Sequence, residues 1–416
     1  MVQACVGISR IRSRAVSVSM ATRSTRLPRG VLPSLKHSGY GWWSHDIGGH
    51  VQGTRDDELT VRWVQSGVFS PIMRLHSTNS LWMSKEPWLY RSESEIVIRD
   101  FMQLRHRLVP YIYSSAGAEE ASSLPLVQPL YWNCPALASA FTFPTQFYFG
   151  SSLVVVPIVQ PRDTKTNLAK SRGWVPPGRH VDVMTGLVYD GDQEIAMYRP
   201  LNQLPLLAAE GSIIPLDRDR VPANGCSNPR AFEVLVVIGK DGHFDILENS
   251  RDDDKSQAAQ EIPRTISLDY DHANGRVKFA ANDREWTFRF LSTKCDPRNV
   301  PVLMNGKQSS KAHCFVEVLN NVPGVVVEVP GSSNVESEIV IELGSSLQLA
   351  VTNHSERIRD LILDYQINNL LKDDIWACID TKQPTSVKMA RLIGLGLDPD
   401  WLGPIAELLL ADSRLE

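Results

Sequence analysis

Beyond Leu124 the period of the hydrophobic pattern changes, and that change limits what the chain can fold into. From Glu93 to Ser114 the apolar residues Val97, Phe101, Leu104, Leu108 and Ile112 recur at three- and four-residue steps, which puts them on one face of a long helix. After Leu124 the texture becomes short β-branched and aromatic runs separated by Pro and Gly, such as "QFYFG", "SSLVVVPIV" and "GSIIPL". A second series follows Phe232, with "FEVLVVIG", "GHFDILE", "TISLDYD", "RVKFAA" and "EWTFRFL", interrupted by the acidic stretch 251–255. A third group, "HCFVEVL" and "SEIVIELG", completes the series and ends near Gly344. Turns at about 8- to 12-residue spacing imply antiparallel sandwiches. Past Gly344 the helical period returns: Ile358, Leu361, Ile362 and Tyr365 share one face, and "VKMARLIGLG" and "PIAELLLADS" read as two more helices. This tail is expected to pack on the sandwich.

Upstream of the long helix, "DDELTVRWVQSGVFSPIMRLHS" (56–77) reads as a short helix around Leu59 to Ser66, then an apolar strand from Val68 to Met73, then a loop. The acidic Asp56-Asp57-Glu58 cluster falls where a helix opens and its N-terminal dipole favours negative charge. Ahead of it, "GWWSHDIGGH" (41–50) places Asp46 after an apolar-aromatic segment and before a glycine pair, where a strand ends and the backbone turns sharply. Met73-Arg74-Leu75-His76-Ser77 repeats that arrangement one helix later. Successive strand ends of this kind converge on one mouth in α/β barrels. Flat tryptophan faces, a hydrogen-bonding carboxylate and close backbone approach suit a sugar. A turn aspartate beside core tryptophans, a structural Arg74 ion pair and a loop histidine at His76 are the competing reading.

Composition narrows the choice further. The chain has 416 residues, 43% hydrophobic and 22% charged, which is the range of folded globular proteins with two to four domains. A formal net charge of -4 offers no basic face for phosphate neutralisation, so nucleic acid is not an expected partner. The six cysteines form no CxxC pair, which argues against a zinc knuckle or dithiol motif. No run of about 18 apolar residues exists to cross a bilayer. Residues 1–45 contain no Asp or Glu but many Arg and Ser, a transit-peptide composition, and the style of the sequence changes abruptly at Gly39, as it would at a misplaced gene start. A secretory signal is poorly supported, because arginines break the apolar residues. Asn353-His354-Ser355 is a lone glycosylation sequon.

The segments "GYGWWSHDIGGH", "RWVQSGVFSPIMRLHS", "EPWLY", "RHRLVPYIYS", "PLVQPLYW", "QFYFGSSLVVVPIV", "GWVPPG" and "LPLLAAEGSIIPL" follow one another in the order seen in glycoside hydrolase family 31, the α-glucosidases and α-xylosidases. The resemblance runs from about Gly39 to Leu216, and the strands to roughly Ser292 look like that family's distal β-domain. It implies a mixed α/β and all-β chain: a basic N-terminus (1–38) that is disordered or mispredicted, and the last strand-helix units of a (β/α)8 barrel (39–122). A proximal β-domain (123–225), a distal β-sandwich (226–345) and a helical tail (346–416) follow. It further implies a retaining exo-glycosidase acting on α-glucosides or related oligosaccharides, with no metal or organic cofactor. By the same resemblance Asp46 lines the glycone subsite and His76 hydrogen-bonds sugar hydroxyls. Trp43 and His50 fall on the pocket wall, His50 where an aromatic is commoner, and Arg74 takes the basic position beside His76. Ser151 and Ser152 replace an acidic residue after the glycine of "QFYFG".

Retention requires a nucleophile and an acid carboxylate about 5 to 5.5 Å apart. The family carries them in a "DMNE"-like segment and just after an "SGR"- or "SGD"-like segment, and residues 1–45 hold neither. The expectation is therefore a chain without the catalytic pair, in which about two barrel units expose an open edge that a partner would cover. Two other readings stay open: a non-catalytic carbohydrate- or subunit-binding module, and an incomplete gene product of an active α-glucosidase.

Overall fold

The computed structural model describes residues 16–18, 41–49, 54–122, 124–221, 227–248, 264–280, 283–319, 322–331, 337–345, 347–351 and 354–415. Most of the 1–38 segment, His50, the acidic stretch 251–255 and the Asn353 sequon lie outside these residues.

Three parallel strands, β1 (Val16–Val18), β2 (Trp43–Ile47) and β3 (Ile72–Leu75), form one sheet in that order. The sequence predicted two; β1 comes from the stretch read as atypical. Helix α1 (Asp57–Val68) makes the crossover from β2 to β3. Its N-cap is Asp56, in extended backbone, whose carboxylate accepts from the Leu59 N–H at 3.0 Å. Asp57 and Glu58 occupy the first turn, so the acidic cluster caps and charges a helix. The apolar run from Val68 divides differently from the expectation. Val68 and Phe69 close the helix, and the strand waits until Ile72, because Pro71 has no N–H to offer a ladder. Arg105 fastens that turn by donating to the carbonyls of Val68, Ser70 and Pro71 at 2.6–2.8 Å.

The single long helix predicted over 93–114 is two helices, α2 (Ser92–Arg107) and α3 (Val109–Ser122), broken at Leu108. Pro110 is the cause: it lacks an N–H, and its ring crowds the carbonyl four residues earlier. Tyr111 of α3 stacks on Phe244 with centroids 5.4 Å apart, donates to the Phe149 carbonyl at 2.8 Å and accepts from the Ser152 N–H at 2.9 Å. Helix α3 thus joins all three parts of the molecule.

The proximal part is a six-stranded antiparallel sheet in the order β4 (Val127–Pro129), β5 (Phe147–Phe149), β6 (Leu153–Val155), β11 (Leu206–Ala209), β8 (His180–Asp182), β9 (Val188–Tyr189). A two-stranded ribbon of β7 (Ala169–Val175) and β10 (Gln193–Arg199) accompanies it, with one-turn helices α4 (Leu130–Asn133) and α5 (Ser139–Thr142). The distal part is a pair of sheets. One runs β12 (Ile213–Asp217), β13 (Ala231–Val236), β17 (Glu285–Phe290), β21 (Val322–Val329), β20 (His313–Leu319). The other runs β14 (Gly242–Glu248), β15 (Arg264–Asp271), β16 (Arg276–Ala280), β22 (Glu338–Glu342), β18 (Val302–Met304), β19 (Lys307–Gln308). Strand β12 belongs to this distal pair, so the sheets change over at the Gly211 turn (φ +87°) rather than near residue 225.

The predicted antiparallel sandwich needs one correction: β13 and β17 run parallel. The chain between them passes through β14–β16 of the opposite sheet, a crossover long enough for parallel pairing. Alternating burial along β15 and β16 turns one face inward. There Phe232, Trp286, Phe288 and Phe279 pack ring on ring with centroids 4.6–6.1 Å apart.

The tail folds as α6 (His354–Asp364), α7 (Asn369–Ile379), α8 (Thr385–Gly394) and α9 (Pro399–Leu410). Ile358, Ile362, Ile375 and Ile405 share a core with Trp174, Val175 and Met197 of the ribbon. The tail therefore sits on the proximal part. No helix among the described residues is long and apolar enough to cross a membrane.

Candidate functional site

Strands β2 and β3 end side by side, with Asp46 paired to Arg74 and Ile47 to Leu75. The pairing continues one step further, where the His76 N–H donates to the Ile47 carbonyl at 3.0 Å. Beyond Asp46 the backbone turns through Gly48 (φ +89°) and Gly49 (φ +80°), and the Gly49 N–H returns to the Asp46 carbonyl at 2.9 Å. A Cβ on Gly48 would also run into the Lys85 side chain.

This register places three of the sequence-predicted residues together. The Arg74 guanidinium ion-pairs with Asp46 Oδ1, and His76 Nε2 lies 3.9 Å from the same oxygen. Asp46 is 5% exposed, whereas Arg74 is 42% exposed. The second carboxylate oxygen, Oδ2, is buried and has no hydrogen-bond partner among the described residues, and neither does Ser44 Oγ on the same strand. Buried oxygens of this kind are costly unless a donor reaches them.

Trp43 falls elsewhere. Trp43 is 3% exposed in the main hydrophobic core, because β2 is the central strand of its sheet. Its ring serves packing and offers no open face. His50 lies outside the described residues.

A cavity of about 500 Å³ lies between the start of α1 and the 81–90 connection; Gly48 reaches it, but Asp46, Arg74 and His76 do not line it. Gly48, Asp56, Trp63, Trp82, Lys85 and Tyr90 help line it. Lys85 Nζ donates to the Met83 carbonyl at 2.7 Å, and burial pushes its ammonium below the usual lysine range. Periodicity cannot reveal a lysine in a loop; "EPWLY" was the nearest sequence signal.

The neighbouring acids are already engaged. Asp57 pairs with Arg55 at 2.8 Å, and Glu58 with Arg62 and Arg162 at 3.5 and 3.4 Å. Asp46 can hold a hydroxyl donor, but these acids do not make it one half of an acid-nucleophile pair.

Residues 25–115 match the glycosyl hydrolases family 31 TIM-barrel domain, and residues 123–214 match the glycosyl hydrolase family 31 C-terminal domain. Over these two stretches the chain is similar to the C-terminal portion of glycoside hydrolase family 31 proteins. The match begins at residue 25, ahead of the change in style at Gly39. An α-xylosidase of Saccharolobus solfataricus is 28% identical over 234 residues, which span 55% of this chain and 30% of that protein. The neutral α-glucosidase C of Homo sapiens is 28% identical over 214 residues, 51% of this chain and 23% of that one. The chain thus spans less than a third of the length of either curated relative. Among solved structures, the cycloalternan-forming enzyme of Listeria monocytogenes in complex with a pentasaccharide substrate has a TM-score of 0.62 at 22% identity. It covers 76% of this chain and 30% of that one, and shows that the two share a fold.

Proposed function

We propose that this chain supplies one wall of a glycone pocket for terminal α-linked glucosyl or xylosyl residues. The observation that carries the reading is the unpartnered Asp46 Oδ2, buried at the end of β2 beside Arg74 and His76. A carboxylate anchored through one oxygen has the other available to accept from a sugar hydroxyl, with Arg74 and His76 as further donors. The names of the relatives, α-xylosidase and α-glucosidase, support the substrate class.

Hydrolysis with retention is a separate matter. It takes two facing carboxylates, and the segments that carry them in the family are missing from residues 1–45. We therefore assign binding, and not cleavage, to this site. The parallel sheet β1-β2-β3 has edges that further strands or a partner would cover. Calorimetric titration with maltose tests the binding reading. Saturable heat that Asp46→Asn abolishes supports it, and equal heats from both proteins would refute it.

A further inference from the structure

Cys295 and Cys314 look unrelated in sequence, but the fold brings them to one corner of the distal sandwich. Both are free and half-buried, and both pack against the same core. Cys295 lies in the connection that leaves β17. That connection is fixed on one side by Thr293, fully buried and bridged to Leu349. On the other side is the 3-10 turn Pro297–Asn299, capped by Asp296 accepting from the Arg298 N–H at 3.0 Å. The turn packs on β20, the edge strand of its sheet. On β20, Cys314 stands opposite Val327, which in turn stands opposite the fully buried Phe288, so Cys314 shares their inward-facing row.

We propose that Cys295 and Cys314 form a reversible disulfide that fastens the Pro297–Asn299 turn to the edge strand β20. The Cys314 thiol is pushed up to about 12, chiefly by burial and then by the charge of Cys295, which puts the two sulfurs within electrostatic reach. Burial and the neighbouring Asp296 also raise Cys295. The thiolate is the reactive form, so both shifts make the reaction slow at neutral pH and faster as pH rises.

The oxidant is a low-molecular-weight disulfide such as oxidised glutathione. The Cys295 thiolate attacks one of its sulfurs, forming a mixed disulfide and releasing one glutathione thiolate. The Cys314 thiolate then attacks the Cys295 sulfur and releases the second glutathione. Two protein thiols lose two electrons and two protons, and the oxidant becomes two glutathione thiols. The product ties down β20, an unpaired edge with Val316 and Val318 exposed.

The test is peptide mapping of the intact 416-residue chain under non-reducing conditions, after exposure to oxidised glutathione at mildly alkaline pH. The expected result is a linked pair of peptides containing Cys295 and Cys314, about 2 Da lighter than their sum and separated by dithiothreitol. The oxidised chain should also unfold at higher urea than the reduced one, a difference that Cys314→Ser and Cys295→Ala each remove. In Cys314→Ser, Cys295 should keep a glutathione adduct. Unlinked thiols after full exposure, glutathione adducts on both cysteines of the unaltered chain, or linkage of either to another cysteine would overturn the proposal.

Discussion

Tyr189 of β9 donates its hydroxyl to Glu407 Oε1 of helix α9 at 2.6 Å, across 218 residues of sequence. Arg199 reaches the same oxygen at 2.8 Å and Asp182 at 2.6 Å, while the Tyr198 N–H donates to Glu407 Oε2 at 2.8 Å. Asp182, Tyr189, Arg199 and Glu407 are each at most 4% exposed. Two acids against one guanidinium hold Arg199 firmly charged, although burial alone would lower its pKa. This cluster makes the helical tail part of the proximal module.

Glu407→Ala should therefore be among the most damaging substitutions outside the apolar core. It removes one of the two acids paired with a buried guanidinium and orphans the Tyr198 N–H, a loss of about 3 to 5 kcal/mol. Tyr189→Phe deletes two charge-assisted hydrogen bonds, one donated to Glu407 and one accepted from Arg199, but leaves both acids on the guanidinium, and should cost about 1.5 to 3 kcal/mol. Urea unfolding of both variants checks the order. A Glu407→Ala chain as stable as the unaltered one would mean that the tail does not depend on this contact.

The cap of α1 gives a smaller, local effect. Asp56→Ala should lose about 0.5 to 2 kcal/mol, and Asp56→Ser should recover most of it, because a hydroxyl can accept from the Leu59 N–H. Thermal unfolding of the pair separates capping from any role of Asp56 in the adjacent cavity. A larger loss in Asp56→Ser than in Asp56→Ala would contradict the assignment.

Two buried histidines make the fold acid-sensitive. Burial lowers His180 and His354 to about 4, from an ordinary 6.5. Each is then held neutral in the folded chain and takes up its proton more readily when unfolded. Their contribution is fully present above about pH 6.5 and is lost as pH falls towards 4, by about 3 kcal/mol apiece. Both ring nitrogens of His354 lack partners among the described residues, so His354→Gln should flatten the fall in stability between pH 6.5 and 4. An unchanged slope in that window would show that His354 is not among its causes.

Much of this architecture was legible because local rules and tertiary packing agree. The period-two pattern of "TISLDYD" became the alternating burial of β15, and Asp46 fell at a strand end because the glycines after it supply positive φ. Elsewhere a longer-range contact decided the outcome. The apolar stripe through Leu104, Leu108 and Ile112 continues in phase, so periodicity alone could not show that Pro110 divides it. Trp43 was legible as an aromatic near a site, but its burial depends on strands on both sides of β2. The Glu407 cluster was not legible, since its members sit up to 225 positions apart (182 to 407) and only folding brings them together.

The site itself was legible at the level of residue types. Two strand-end clusters, one helix apart, suggested Asp46, Arg74 and His76, and the parallel register places Asp46 against Arg74. The orphaned Oδ2 could not be foreseen, because it depends on which oxygen Arg74 takes.

The most direct measurement is hydrolysis of an aryl α-glucoside and an aryl α-xyloside by the purified 416-residue chain. A pocket wall without the carboxylate pair should release aryl alcohol no faster than buffer, with either substrate and at any pH between 4 and 8. Turnover by the unaltered chain that disappears in Asp46→Asn would contradict that account and would make Asp46 part of a working catalytic centre.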